Sequence, residues 1–113
     1  MTPELIYLCR LEEIPEQQAK GFDIQTSSGV RHIFLVNLKN QLYGYINRCP
    51  HTGVNLDWMP DQFLDSSGIL IQCATHGALF RIEDGLCTFG PCSGDTLTPV
   101  TLKIQDNCVF FQP

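Results

Sequence analysis

The chain has 113 residues, the size of one domain, and 43% of them are hydrophobic, which excludes a disordered polypeptide. Seven Lys and Arg against twelve Asp and Glu give a formal net charge of −5, which argues against nucleic acid as a partner. No apolar run approaches the roughly 20 residues that span a bilayer, and the N-terminus lacks the charge pattern of a signal peptide. We therefore expect no membrane segment and a cytoplasmic location.

Short segments of alternating polar and apolar residues predict an all-β chain, since no stretch keeps a helical period. Residues 11–20 are polar and contain a proline, which predicts a loop or a single helical turn. Turn residues at 27–29, 39–40, 83–85 and 106–107 separate the strands. In chain order the predicted strands are 4–9, 22–26, 30–38, 41–47, 69–73, 78–82, 86–89, 100–105 and 108–112.

Two Cys-to-His pairs, each followed by a glycine, come directly after predicted strands. The first pair is Cys49-x-His51 and the second is Cys73-x-x-His76. In a reducing compartment cysteines serve more often as thiols or metal ligands than as disulfides. Each of the two loops therefore offers one thiolate and one imidazole to a metal.

Three interpretations of these pairs are open from the residues alone. A structural zinc site needs two Cys and two His, but its pairs usually contain ligands of one type with two to four residues between them. Buried thiols and surface histidines without a common role are a second interpretation. The third is a [2Fe–2S] centre in which two histidines replace two cysteines on one iron.

The spacing resembles the signature of the Rieske family, Cys-x-His followed by Cys-x-x-His, and the resemblance extends over nearly the whole chain. Residues 90–94, Gly-Pro-Cys-Ser-Gly, resemble the Gly-Pro loop that covers the cluster in that family. The 21 residues between the motifs, 52–72, exceed the spacer of the family's shorter members. Added loop length costs little closure entropy, so this insertion is tolerable.

The resemblance implies a single Rieske domain over residues 1–113, an antiparallel β-sandwich whose two-loop cluster-binding part covers about 47–92. It implies that Cys49 and Cys73 bind a buried iron and that His51 and His76 bind an outer iron near the surface. Replacing two thiolates by neutral imidazoles removes negative charge, so the centre is easier to reduce than a four-cysteine cluster.

The expected function is that of an electron-transfer protein, not an enzyme, carrying one electron from a reductase to an acceptor such as an oxygenase. An oxygenase catalytic subunit needs a second iron held by two histidines and a carboxylate, and only His32 is left. No Gly-x-Gly-x-x-Gly nucleotide motif is present, so the electrons come from another protein. The alternative is an accessory subunit of a larger oxidoreductase, similar to the small subunits of nitrite reductases.

Other residues are given structural interpretations. His32 is expected to face solvent from its strand, and Cys9 and Cys108 to be small core or edge residues. Cys87 and Cys92 flank the Gly-Pro loop without an assigned role. The segment between the motifs is open to two interpretations, a shield for the cluster or a satellite apolar group from its bulky residues, Trp58, Met59, Pro60 and Phe63. Its acidic residues, Asp57, Asp61 and Asp65, are compatible with a solvated loop or with a docking surface for a basic partner.

Overall fold

The computed structural model describes residues 5–27, 29–48, 50, 56, 61–73, 77–90 and 93–112. These residues form nine strands and one short 3₁₀ helix, Leu11–Glu13. The strands are β1 (Ile6–Arg10), β2 (Gln18–Thr26), β3 (Gly29–Leu38), β4 (Gln41–Ile46), β5 (Leu70–Gln72), β6 (Leu79–Arg81), β7 (Cys87–Phe89), β8 (Thr101–Gln105) and β9 (Cys108–Gln112).

The strands make three antiparallel sheets of three strands each, which confirms the all-β prediction. The orders are β1-β9-β8, β2-β3-β4 and β5-β6-β7, so the chain termini share one sheet. Cys73, the first residue of the second pair, directly follows β5, and Gly90, the start of the Gly-Pro loop, directly follows β7. Within the described residues, no helix is long and apolar enough to cross a membrane.

Strand β3 is buried on both faces over residues 33–36, whereas its first four residues are exposed or half-buried. Phe34 and Val36 belong to an apolar cluster with residues of the third sheet, whereas Ile33 and Leu35 pack with residues of β1 and β9. All four of these side chains have 0% exposure. A strand covered on both sides reads as a continuous apolar run instead of an alternation, and that is the sequence found here.

Strand β2 begins at Gln18, four residues before the predicted start, so the expectation of a loop up to residue 20 is wrong at its end. The pairing with β3 continues without interruption from Thr26↔Gly29 to Gln18↔Asn37. Gln18 is exposed and Ala19 and Lys20 are half-buried. An edge strand with one face exposed to solvent needs few apolar residues. The polar residues at the start of β2 therefore resemble those of a loop in the sequence. The other described strands lie within two residues of their predicted bounds.

Two of the predicted turns contain consecutive residues with positive φ. Lys39 and Asn40 have φ of 54° and 62° and join β3 to β4, and Asp106 and Asn107 repeat this at 51° and 62° between β8 and β9. Two left-handed residues match the twist of the flanking strands in a two-residue hairpin, and Asn and Asp tolerate that region better than most residues. Both turns are therefore as predicted.

Tyr45 gives the fold a measurable dependence on alkaline pH. Its side chain is 3% exposed and its hydroxyl donates a hydrogen bond of 2.6 Å to the carbonyl oxygen of Ile82. Burial raises the pKa of Tyr45 from 10.0 to about 12. The stability that comes from the neutral phenol is therefore complete below pH 10 and is lost as the pH rises toward 12.

We expect the free energy of unfolding of the wild type to fall above pH 10 by up to about 1.4 kcal/mol per pH unit from this group alone. Tyr45→Phe removes the titration and the hydrogen bond, so it should be less stable near neutral pH yet show a smaller alkaline slope. Urea unfolding across the alkaline range measures both quantities. Equal slopes for the two proteins would show that Tyr45 does not titrate this way.

Candidate metal centre

Of the four predicted ligands, Cys73 lies within the described residues. It follows β5 directly and its side chain has 0% exposure. The other three, Cys49, His51 and His76, lie outside the described residues. The geometry of the site is therefore built from Cys73 and from the described residues that flank each motif.

The second motif is closed by two backbone hydrogen bonds. The Cys73 N–H donates to the Ala78 carbonyl at 2.8 Å, and the Gly77 N–H donates to the Cys73 carbonyl at 3.0 Å. Gly77 has φ of 66°, the left-handed conformation that glycine adopts without steric cost. The two bonds thus hold Cys73, Gly77 and Ala78 close together between β5 and β6, with Cys73 buried.

The loop that starts at Gly90 lies against the second motif. A Cβ on Gly90 would approach the Ala78 Cα to 2.9 Å, so a side chain at this position does not fit. The loop is closed on itself, because the Ser93 N–H and hydroxyl both donate to the Gly90 carbonyl, at 3.2 and 2.8 Å. Residues 91–92 of the predicted Gly-Pro lid lie outside the described residues.

The first motif is flanked by Asn47 and Leu56. Asn47 follows β4, is 8% exposed, and its Oδ1 accepts a hydrogen bond of 2.8 Å from the Leu56 N–H. Leu56 is fully buried in the same apolar cluster as Cys73 and Ala78. The end of the first loop is therefore packed into the core that carries the second motif.

The remaining cysteines divide between the core and an edge. Cys9 is buried, and burial raises the pKa of its thiol, which makes it a poor thiolate source. Cys108 is half-exposed on β9, so the core-or-edge interpretation of both holds. Cys87 is buried at the start of β7 and its thiol donates to the Phe89 carbonyl at 3.3 Å. Cys92 lies outside the described residues.

The segment between the motifs contributes to the main core, so the expectation of a satellite apolar group is wrong for Phe63. Phe63 is 1% exposed and stacks on Phe34 with ring centroids 4.4 Å apart. Asp61 also has a structural role, because its Oδ1 accepts the Gly21 N–H at 2.7 Å. Asp65 accepts the Ser67 hydroxyl. The other residues considered in this segment, Asp57, Trp58, Met59 and Pro60, lie outside the described residues.

His32 faces solvent, as predicted. Its Nδ1 lies 2.6 Å from the Asp23 Oδ1 across the β2–β3 pair, and the two side chains are 49% and 74% exposed. Asp23 and His32 are opposite residues in this register. The histidine side chain is thus part of a surface pair with Asp23.

Cys73, the candidate ligand that the structure describes, fits an iron–sulfur cluster on chemical grounds. Cys73 supplies a buried sulfur at the base of a tight turn, and the surroundings of that turn, Leu56, Ala78 and Phe80, are apolar and fully or almost fully buried. No three potential metal ligands are grouped within the described residues, which contain Cys73 alone of the predicted four. A soft thiolate in such an environment suits iron in a cluster.

Sequence reasoning missed the roles of Asn47, Leu56 and Phe63. The strand predicted for 41–47 included Asn47 as its last residue, but its side chain leaves the strand to bind Leu56. No local pattern signals a side chain that bonds a backbone N–H nine residues further along the chain. Phe63 carried a weak signal, since a large aromatic residue in a polar segment is more often buried than exposed.

The family of the chain is established by a sequence comparison. The model of the Rieske [2Fe–2S] domain matches residues 4–103. The chain therefore belongs to the Rieske family, and its cofactor is a [2Fe–2S] cluster. No match was found among curated proteins.

Solved structures share the fold at low sequence identity. The ferredoxin of carbazole 1,9a-dioxygenase from Nocardioides aromaticivorans IC177 is 18% identical, with a TM-score of 0.74 over 96% of this chain and 97% of that one. A chain in the complex of reduced oxygenase and oxidized ferredoxin in carbazole 1,9a-dioxygenase is 18% identical, with a TM-score of 0.76 over 98% and 94%. A chain in the reduced complex between oxygenase and ferredoxin in carbazole 1,9a-dioxygenase is 20% identical, with a TM-score of 0.79, and 28% of that longer chain is covered, against 97% of this one.

Replacing Gly90 by alanine should separate the Gly-Pro loop from the second motif. The added Cβ meets the Ala78 backbone, and φ of 106° is unfavourable for a residue with a side chain. We expect a loss of about 1–3 kcal/mol in the free energy of unfolding and faster loss of iron to a chelator.

Gly29→Ala is the matched control. Gly29 has a similar φ of 110° but no atom within 4 Å of its added Cβ. It should lower stability through backbone strain while iron is lost at the wild-type rate. Chelation followed by visible absorbance measures the rates, and equal rates for the two variants would contradict a contact between this loop and the site.

Proposed function

We propose that this chain is a one-electron carrier that takes electrons from a reductase and passes them to an acceptor such as an oxygenase, and is not itself an enzyme. A [2Fe–2S] cluster supplies one-electron redox chemistry. The observation that carries the proposal is the buried Cys73 at the base of a tight turn, against which the Gly90 loop packs.

The proposed ligands are Cys49, His51, Cys73 and His76, within a cluster-binding part at about residues 47–92 of a single domain. The likeness in fold to the ferredoxin of carbazole 1,9a-dioxygenase supports the carrier, because that match covers nearly all of both chains. The likeness in fold to a chain in the complex of reduced oxygenase and oxidized ferredoxin in carbazole 1,9a-dioxygenase supports an oxygenase as the acceptor. The presence of all four proposed ligands in the sequence favours a carrier over a purely structural accessory subunit.

Two apolar residues support a low reduction potential. Ala78 and Phe80 follow the second motif, are 1% and 0% exposed, and offer no hydroxyl to a cluster sulfur. Hydrogen bonds to cluster sulfurs stabilise the added electron, so their absence lowers the potential. A low potential suits a carrier supplied by a nicotinamide-dependent reductase.

Purification under anaerobic conditions tests the proposal. A red-brown protein with two iron and two sulfide per chain, as the cluster formula requires, is expected; a colourless protein with zinc would overturn it. Electron transfer is then tested by stopped-flow mixing of the reduced protein with an oxidised Rieske oxygenase. Failure to reoxidise with any such acceptor, despite a full cluster, would favour the accessory-subunit alternative.

A further inference from the structure

Asn47 connects the two ends of the first motif loop. Its backbone N–H donates to the His32 carbonyl at 2.8 Å, which fixes the residue beside β3. Its side-chain Oδ1 accepts the Leu56 N–H, also at 2.8 Å. One residue therefore bonds to the central sheet with its backbone and to the far end of the loop with its side chain.

Both partners in the second bond are buried. Asn47 is 8% exposed and Leu56 is 0% exposed, so water does not readily replace the Asn47 oxygen as acceptor for the Leu56 N–H. A buried N–H without an acceptor is costly, so the loop end is held where this oxygen lies. Leu56 also packs in the apolar cluster with Cys73, which fixes the same loop end against the second motif.

Residues 48–55 are bracketed by this bond, and they include two of the four proposed ligands, Cys49 and His51. Metal ligands need a fixed orientation, and residues that orient them affect metal retention strongly although they touch no metal. The side-chain Oδ1 of Asn47 supplies this restraint for the first loop.

We propose that Asn47 is a positioning residue, which holds the Cys49–His51 loop in its cluster-binding geometry through the hydrogen bond from the Leu56 N–H. The inference rests on the proposed function, because it takes Cys49 and His51 as ligands. In this proposal Asn47 affects the rate at which the cluster loses iron and the electronic environment of the cluster, although it is not itself a ligand.

Asn47→Leu is the main variant, because leucine has a similar size and no acceptor. We expect iron to be lost to a chelator at least tenfold faster than from the wild type, and the electron paramagnetic resonance signal of the reduced protein to shift or broaden. Asn47→Asp keeps an acceptor oxygen, so it should lose iron within threefold of the wild-type rate and retain the wild-type signal.

Asn37→Leu is the matched control. Asn37 also makes a side-chain hydrogen bond of 2.8 Å to the backbone, from its Nδ2 to the Ile14 carbonyl. It lies near the β3–β4 turn, whereas Asn47 bonds to His32 in the first half of β3. Its loss should lower the thermal midpoint while the rate of iron loss and the resonance signal stay as in the wild type.

The outcomes separate this inference from the proposed function. A wild type without a cluster would overturn the proposed function, whereas a loaded wild type with Asn47→Leu indistinguishable from Asn37→Leu would overturn the inference alone. If Asn47→Leu does not fold, Asn47→Asp decides: iron loss within threefold of wild type supports the role of the acceptor, and loss more than tenfold faster overturns it.

Discussion

Cys73→Ala and His51→Ala are each expected to purify without the cluster. Removing one of four ligands leaves an iron open to water, and the loops that the cluster joins lose their common attachment. The visible absorbance and the iron content should fall to near zero. The thermal midpoint should fall as well, because a domain of this size gains stability from a metal centre that binds the folded state alone.

Two substitutions of the same chemical kind serve as controls. Cys9→Ala removes a thiol that is equally buried but lies in the other apolar cluster, and His32→Ala removes an exposed imidazole. Both should keep full iron and the wild-type spectrum, although Cys9→Ala loses some stability through its cavity. A fully loaded Cys73→Ala or His51→Ala protein would show that the residue in question is not a ligand.

We expect a reduction potential near the low end of the Rieske range, roughly −150 mV. By resemblance, high-potential members join their cluster loops by a disulfide, where this chain has Val54 and Thr75. They also place hydroxyl residues two and four positions after the second histidine, where this chain has Ala78 and Phe80. This chain therefore lacks both devices that stabilise the added electron.

The size of the expected effect follows from the missing hydrogen bonds. A hydrogen bond to a charged group contributes about 1.5–3 kcal/mol, and a tenfold change in a one-electron equilibrium corresponds to about 59 mV. Ala78→Ser with Phe80→Tyr should therefore raise the potential by on the order of 100 mV. Protein-film voltammetry measures the change directly.

Phe63→Tyr is the control for this experiment. It adds a phenol hydroxyl at another fully buried position of the same apolar cluster. Because Phe63 does not follow the second motif in the chain, this variant tests the effect of added polarity in the core alone. Its potential should stay near the wild-type value. A wild-type potential clearly above zero, or an equal rise in Phe63→Tyr, would contradict the hydrogen-bond explanation.

The sequence predicted the hairpins of the sheets more accurately than the start of the edge strand β2. Hairpins such as β3–β4 were predictable because Lys39 and Asn40 form a turn between apolar strands, a signal that is local. The start of β2 was not predictable from the sequence, because its polar residues adopt an extended conformation through pairing with β3. Pairing energy between distant segments leaves no trace in the composition of one of them.

For the site, the sequence predicts which residues bind the cluster and leaves open what holds them. The Cys and His spacing is a chemical requirement of the cluster and is therefore visible in the chain itself. The contact of Gly90 with Ala78 and the bond between Asn47 and Leu56 depend on how loops approach one another in space. Such contacts are set by tertiary packing. In the sequence they correspond to a glycine or an asparagine, residues that occur in many other structural contexts.

The segment of β3 that is buried on both faces, residues 33–36, makes the two halves of the protein unequal in hydrogen exchange. Its amides are covered by one apolar layer shared with the terminal strands and another shared with the third sheet, so they open only when both layers separate. The third sheet has strands of three residues, each with a single buried residue, so few of its amides are covered by the core. Loss of the cluster should therefore release the amides of β5, β6 and β7 first, while β3 and β9 keep slow exchange as a residual folded unit.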